Sequence, residues 1–196
     1  YLLGSIPSAV WIGKRFYGTD VREHGSRNAG ATNTLRVLGP RAALPVFLLD
    51  IAKGFAAVML CHLTRLEGDA LTNMKLILVA AAVLGHIFPV FAGFKGGKGV
   101  ATLAGSVLAV CPAEVGLCLA TFALILALTH YVSLGSMTAG VLLPVYALLL
   151  GVRYVPLLVF CCLVSVLLIY THRKNIKRLL SGTESKTYLF RRKPEE

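Results

Sequence analysis

The sequence predicts an all-α, polytopic membrane helical bundle of about seven transmembrane helices, and three observations predict it. Apolar residues fill 56% of the 196 positions and charged residues only 15%, with a mean hydropathy of +0.73, more than a water-soluble domain of this size can hide. The apolar residues fall in long runs separated by short polar ones, at the roughly 20-residue interval that crosses hydrocarbon. The formal net charge of +11 sits between those runs and in the tail, where it can orient a chain against anionic lipid or attract anionic substrates. The expected partner is therefore the lipid bilayer, not nucleic acid.

The first run, residues 1–17, begins without a methionine and leads straight into Gly13 to Arg15, as a first helix would if some of its N-terminal residues were missing. Further runs occupy 42–63, 74–92, 98–111, 113–130, 134–151 and 153–172. The run at 98–111 is too short to span comfortably and Pro112 limits its extension, so it is expected to be tilted, half-buried or stacked on its neighbours. No soluble domain, repeat or linker interrupts the chain, and residues 1–196 are expected to form a single domain. Cys61, Cys111, Cys118, Cys161 and Cys162 lie in or beside apolar runs without metal-ligand spacing. They read as small membrane-facing hydrophobes.

Orientation follows from the basic residues. Lys14, Arg15, Arg22, Arg27, Arg36 and Arg41 follow the first run; Lys95 and Lys98 follow the third; Arg173, Lys174, Lys177, Arg178, Lys186, Arg191, Arg192 and Lys193 fill the tail. A seven-span arrangement with the N-terminus outside and the C-terminus cytoplasmic places these sixteen of the twenty basic residues on the cytoplasmic side. The opposite loops keep Arg65, Lys75 and Arg153, and Lys53 lies inside a run. The same arrangement gathers every polar or glycine-rich segment on one face, as a single site requires.

The first such segment is GSRNAGATN, Gly25 to Asn33. Its glycines, hydroxyls, amides and backbone N–H groups suit an anion cradle, with a helix expected to start near Thr32 or Asn33 and add its positive end. The second is GFKGGKGVAT, Gly93 to Thr102, whose glycines admit close backbone approach and whose Lys95 and Lys98 add charge. It lacks the glycine spacing and the final hydroxyl of an ATP-binding P-loop. The third is YTHRKNIKRLLSGTE, Tyr170 to Glu184, where His172 and Asn175 are three apart and share a helix face. Ser133, in HYVSLGS, adds a hydroxyl on the same side.

Together, GSIPSA followed by GSRNAGATN, then LGHIFPVFAGFKGGKGVAT, then HRKNIKRLLSGTE, in this order and at these separations, resemble the bacterial acyl phosphate:glycerol 3-phosphate acyltransferases, the PlsY family, over essentially the whole chain. The resemblance implies a seven-helix enzyme of the bacterial cytoplasmic membrane, with its active site at the cytoplasmic face. It would transfer an acyl group from acyl phosphate, not acyl-CoA, to glycerol 3-phosphate and release lysophosphatidic acid for phospholipid synthesis. By the same resemblance Ser26, Gly30, Ala31, Thr32, Asn33 and Asn175 are expected to bind acyl phosphate, and Arg36, Lys98, Ser133 and His172 glycerol 3-phosphate. Lys98, His172 and Asn175 are the expected catalytic residues, and Gly93, Gly96, Gly97 and Gly99 would shape the loop. A soluble acyl phosphate synthase is the implied supplier of donor. Arg27 departs from the pattern, standing where the family more often has glycine.

The residues agree with that chemistry. Two anionic substrates need positive charge and backbone N–H groups, and an acyl phosphate is already activated, so no metal or cofactor is demanded. No His is followed by Asp at the five-residue offset of the HxxxxD acyltransferases, and no Ser-His-Asp triad stands out. An anion transporter is the alternative, with Asp50 and Lys53 as intramembrane charges. These are three apart and can instead pair on one helix face, and the polar segments do not form the inverted repeats of a transporter. A CDP-alcohol phosphotransferase would need an aspartate cluster, whereas Asp20 and Asp50 are isolated.

Overall fold

A computed structural model describes residues 1–188, and all regular structure among them is helical. Arg191, Arg192 and Lys193 of the basic tail lie outside the described residues. The helices are α1 (Ser8–Tyr17), α2 (Ala31–Leu38), α3 (Pro40–Met59), α4 (Gly68–Ile87), α5 (Val100–Leu108), α6 (Pro112–Thr129), α7 (Val132–Leu149), α8 (Val155–Thr171) and α9 (Arg173–Leu180). Proline opens α3 and α6 at the first helical position, where its missing N–H costs nothing. Gly18 closes α1 in the left-handed conformation.

Four segments are each long and apolar enough to cross a membrane: Pro40–Leu63, Gly68–Ala92, Pro112–Thr129 and Val132–Leu149. Taken together, α8 and α9 make a fifth, bent by 59° between Thr171 and Arg173. With 10 and 9 residues, α1 and α5 are too short to cross alone. The outer faces are apolar, with Leu44, Phe47, Leu124, Leu128, Val159 and Val166 all exposed, a surface suited to hydrocarbon and unfavourable in water. Cys61, Cys111 and Cys161 are buried, Cys118 is half-buried and Cys162 is exposed. Most of the cysteines thus pack inside the bundle instead of facing lipid, because small thiols fill tight helix contacts.

Close backbone contact sets the position of α5. A Cβ added at Gly54 would stand 2.2 Å from the Thr102 carbonyl oxygen, and one at Gly105 2.1 Å from that of Ile51. Small residues let α3 and α5 touch, the packing that holds helices together where lipid offers no hydrophobic drive. Gly105→Ala is therefore expected to cost about 1–3 kcal/mol through overpacking. Gly116→Ala, with open space around it, should leave the unfolding midpoint in detergent unchanged or slightly raised; equal midpoints for the two variants would refute the tight contact.

The charges inside the second run are paired. Lys53 Nζ lies 2.8 Å from Asp50 Oδ1 and donates to the Ile6 carbonyl at 2.6 Å. Asp50 also accepts from the Ser8 hydroxyl, and its neighbour His86 contacts Thr102 Oγ1 through Nδ1 at 2.9 Å. This closed network ties α1, α3, α4 and α5 together, as a structural ion pair does, and leaves Lys53 engaged with internal partners.

Candidate active site

The loop before α2 is folded around one side chain. Asn33, buried in the first turn of α2, accepts through Oδ1 from the Ser26 N–H at 2.8 Å and the Ser26 hydroxyl at 3.0 Å. Its amide nitrogen donates to the carbonyls of Val21 at 2.7 Å and His24 at 3.2 Å. Asn33 thus shapes the cradle with its polar groups already engaged. The helix starts at Ala31 after Gly30 in extended conformation, not at Thr32 or Asn33, because the Asn33 side chain is bonded to the loop instead of capping. The first-turn N–H groups of Ala31 and Thr32 have no carbonyl of their own helix to meet, and both residues line the cavity. Arg27 holds φ at 58°, the left-handed region that glycine occupies without cost, which is why glycine suits this position.

The glycine-rich loop folds back on α4. Gly96 N–H donates to the Ile87 carbonyl and Gly97 N–H to that of His86, both at 3.2 Å. Added Cβ atoms there would stand 2.0 Å from the His86 carbonyl oxygen and 2.2 Å from His86 Nε2 respectively, so only glycine permits the approach. Gly93 and Gly99 take positive φ at either end of the loop. The loop delivers Lys98, whose ammonium hydrogen-bonds the Asn175 side-chain oxygen.

Asn175 belongs to a third cluster. α8 breaks at His172, yet His172 and Asn175 both remain buried against the same space. His172 Nδ1 lies 2.8 Å from the Leu168 carbonyl; a carbonyl only accepts, so Nδ1 carries the proton and Nε2 is left for a ligand. Asn175 Nδ2 donates to Glu184 Oε1 at 2.7 Å, and Ser133 Oγ, from the first turn of α7, donates to the same oxygen at 2.9 Å. Arg178 Nε bonds Glu184 Oε2 at 2.6 Å, and Arg36 lies 3.9 Å from Oε1. Burial pushes the Glu184 carboxyl up, but the hydrogen bonds from Arg178, Asn175 and Ser133 outweigh it and hold the carboxyl below its ordinary range.

These three clusters enclose one cavity of about 370 Å³. Ser26, Gly30, Ala31, Thr32, Asn33, Arg36, Lys98, Gly99, Ser133, His172 and Asn175 all line it; Gly93, Gly96 and Gly97 do not, since they support the loop from behind. Two buried polar atoms around it, Arg36 Nε and the Thr187 hydroxyl, have no hydrogen-bond partner among the described residues. Sequence reasoning missed Glu184 as an organiser and missed Asp50 and His86 as part of the cavity wall. A lone carboxylate closing a strongly basic segment was the available signal for Glu184.

A sequence profile of the glycerol-3-phosphate acyltransferases matches residues 1–182. The chain belongs to that family. Relatives named glycerol-3-phosphate acyltransferase include one from Fusobacterium nucleatum, 44% identical over 186 residues that cover 95% of this chain and 93% of the relative. Another, from Salinibacter ruber, is 41% identical over 206 residues, covering 97% and 90%. The crystal structure of PlsY, an integral membrane glycerol 3-phosphate acyltransferase, in its glycerol 3-phosphate form gives a TM-score of 0.85 at 39% identity, covering 97% of this chain and 95% of that one. Its lysophosphatidic acid form gives 0.82 at the same 39%, covering 96% and 91%. Family membership agrees with the resemblance carried by the three polar segments, and with a multi-pass membrane protein built of apolar helices.

Proposed function

We propose that this protein transfers an acyl group from acyl phosphate to glycerol 3-phosphate, giving lysophosphatidic acid and inorganic phosphate for phospholipid synthesis. The observation that carries this reading is the convergence of Lys98, Arg36, the α2 N-terminus and the His172–Asn175 pair on one cavity with an apolar wall. In this reading Ser26, Gly30, Ala31 and Thr32 hold the donor phosphate, with Asn33 fixing their shape and Asn175 completing the contact. Arg36, Ser133 and His172 hold glycerol 3-phosphate, and Lys98 stands between the two anions. The substrate hydroxyl oxygen attacks the acyl carbonyl carbon, the carbon–oxygen bond to phosphate breaks, and the proton passes to a phosphate oxygen. Positioning accounts for roughly 7–11 kcal/mol of such a barrier, so no side chain must act as an indispensable base.

Purified protein given acyl phosphate and glycerol 3-phosphate is expected to form lysophosphatidic acid without coenzyme A. Comparable rates with acyl-CoA would overturn the donor assignment. His172→Ala is expected to raise KM for glycerol 3-phosphate strongly; a fall in kcat of about 10²- to 10⁴-fold at unchanged KM would instead make His172 the base.

The same reading makes the chain one domain with seven membrane segments, the short α1 and α5 among them, in the bacterial inner membrane, N-terminus outside, with the site open to the cytoplasm and supplied by a soluble acyl phosphate synthase. The charge bias of its loops supports that orientation. Cysteines introduced beside Arg22, Lys95 and Lys186 should label from the cytoplasm, and one beside Glu67 from outside. Opposite labelling within the first three would break the single-face arrangement.

A further inference from the structure

His86 lies buried in the last turn of α4 and holds the glycine-rich loop twice. Its carbonyl accepts the Gly97 N–H at 3.2 Å. Its ring is packed so closely on the same residue that a Cβ at Gly97 would stand 2.2 Å from Nε2 and 3.1 Å from Cδ2. The Ala29 carbonyl oxygen stands 3.1 Å from that same Cβ position. Gly97 is therefore held between the His86 ring and the segment that leads into Gly30 and α2, and the next residue is Lys98. The other end of the ring is anchored, with Nδ1 2.9 Å from the Thr102 hydroxyl and 3.6 Å from Asp50 Oδ1. Thr102 is fully buried, and its carbonyl accepts the Ser106 hydroxyl at 2.8 Å and closes on Gly54 of α3. Asp50 is held in turn by Lys53 at 2.8 Å and by Ser8.

We infer that His86 is a positioning residue for Lys98: its imidazole, braced on Thr102 and Asp50, sets where Gly97 lies and hence where the Lys98 ammonium meets Asn175. The inference rests on the acyl-transfer reading and adds to it a residue that acts through Lys98. A loop in which Gly93, Gly96, Gly97 and Gly99 surround the lysine has more conformational freedom to lose than any other sequence, and lysine itself is a point charge on a flexible stem. Neither can hold an ammonium in register, so the rigidity must come from outside the loop. The His86 ring supplies it, because it joins Gly97 to a buried anchor built from α1, α3 and α5.

The test is a double-mutant cycle read on lysophosphatidic acid formation. His86→Ala is expected to lower kcat/KM by about 10- to 10²-fold, the cost of misplacing a catalytic group by about 1 Å. In Lys98→Met the same change should cost less than about twofold, since a group that acts through the ammonium has nothing left to place. Equal losses in the two backgrounds overturn the inference, as does a His86→Ala protein within about twofold of wild type. His86→Gln, whose amide reaches about as far as Nε2, should regain much of the activity, whereas His86→Asn, which reaches only as far as Nδ1, should not; the reverse order also overturns it. Thr102→Val removes the brace and keeps the branched shape, and should lose about two- to tenfold, the worth of one hydrogen bond, with the same dependence on Lys98. If His86→Ala does not fold, Thr102→Val and His86→Gln decide through the same cycle. Running it with acyl phosphate and with acyl-CoA separates the two failures. Turnover with acyl-CoA alone would sink the donor reading, while coupling in that assay would still support the placement of Lys98 by His86, and equal losses would overturn that placement with either donor.

Discussion

Lys98→Met lowers kcat/KM by about 10²- to 10³-fold, the loss that follows removal of one preorganised charge stabiliser from a water-poor site. Most of the fall is expected in kcat. In the proposed reaction the leaving phosphate gains charge as its bond to the acyl carbon breaks, so a fixed ammonium would bind the transition state better than the ground state. The pH profile makes the prediction sharper. Burial, offset by Glu184 and reinforced by Arg178 and Arg36, brings Lys98 down to about 8. The protonated form is the working one, so kcat/KM should be level below that pH and fall as pH rises through about 8, well before an ordinary lysine near 10.4 would titrate. Lys98→Arg, charged throughout this range, should keep part of the activity and lose the alkaline fall. An alkaline limb that stays at the same pH in Lys98→Arg would assign it to another group.

Glu184→Ala is expected to damage both stability and turnover. The carboxylate is buried and receives Arg178, Asn175 and Ser133; without it the positive charges of the half-buried Arg36 and Lys98 lose their neighbouring counter-charge. Breaking a buried charge pair costs about 3–5 kcal/mol, and the partial exposure of Arg178 reduces this to about 2–3 kcal/mol. The unfolding midpoint should drop by about 5–10 °C. Glu184→Gln keeps hydrogen-bonding atoms without the charge and should lie between wild type and Ala in both measures. The sign with pH also follows. The folded-state carboxyl titrates below its unfolded value, so its stabilisation is present above the ordinary carboxylate range and is lost as pH falls through the folded value. Glu184→Ala should lack that acid slope, and an unaltered slope would show that Glu184 does not supply it.

The helices were legible wherever apolar runs were long, because crossing hydrocarbon demands length and little else. α3, α4, α6 and α7 lie within a few residues of the expected runs. α5 also matched, its shortness visible from Pro112. What stayed hidden was which face of each helix points inward: a span apolar all round carries no stripe, so Cys61, Cys111 and Cys161 could not be placed inside. The cavity-lining residues were legible because glycine, lysine and amide chemistry clusters in short segments. Glu184 was not, since its meaning depends on Ser133, Asn175, Arg178 and Arg36, and Ser133 and Arg36 meet it only across distant chain segments. The start of α2 was misplaced for a related reason: Asn33 is a strong cap by propensity, but its side chain is bonded to Ser26, Val21 and His24.

Because Gly96 and Gly97 turn back along the last turn of α4, the loop that carries Lys98 descends beside Val83 and Ile87, against which Gly99 rests. Irregular backbone is tolerated at such a level only when protein encloses it. On the proposed acyl-transfer reading, a lysine packed there would meet a lipid-borne donor near its carbonyl. Lifting that donor into water would expose its methylenes at about 0.8 kcal/mol each, and a handful of them would rival the affinity of a whole substrate. On that same reading, the donor's tail would stay within its own monolayer through turnover, and the product would depart sideways into the bilayer without a desorption step.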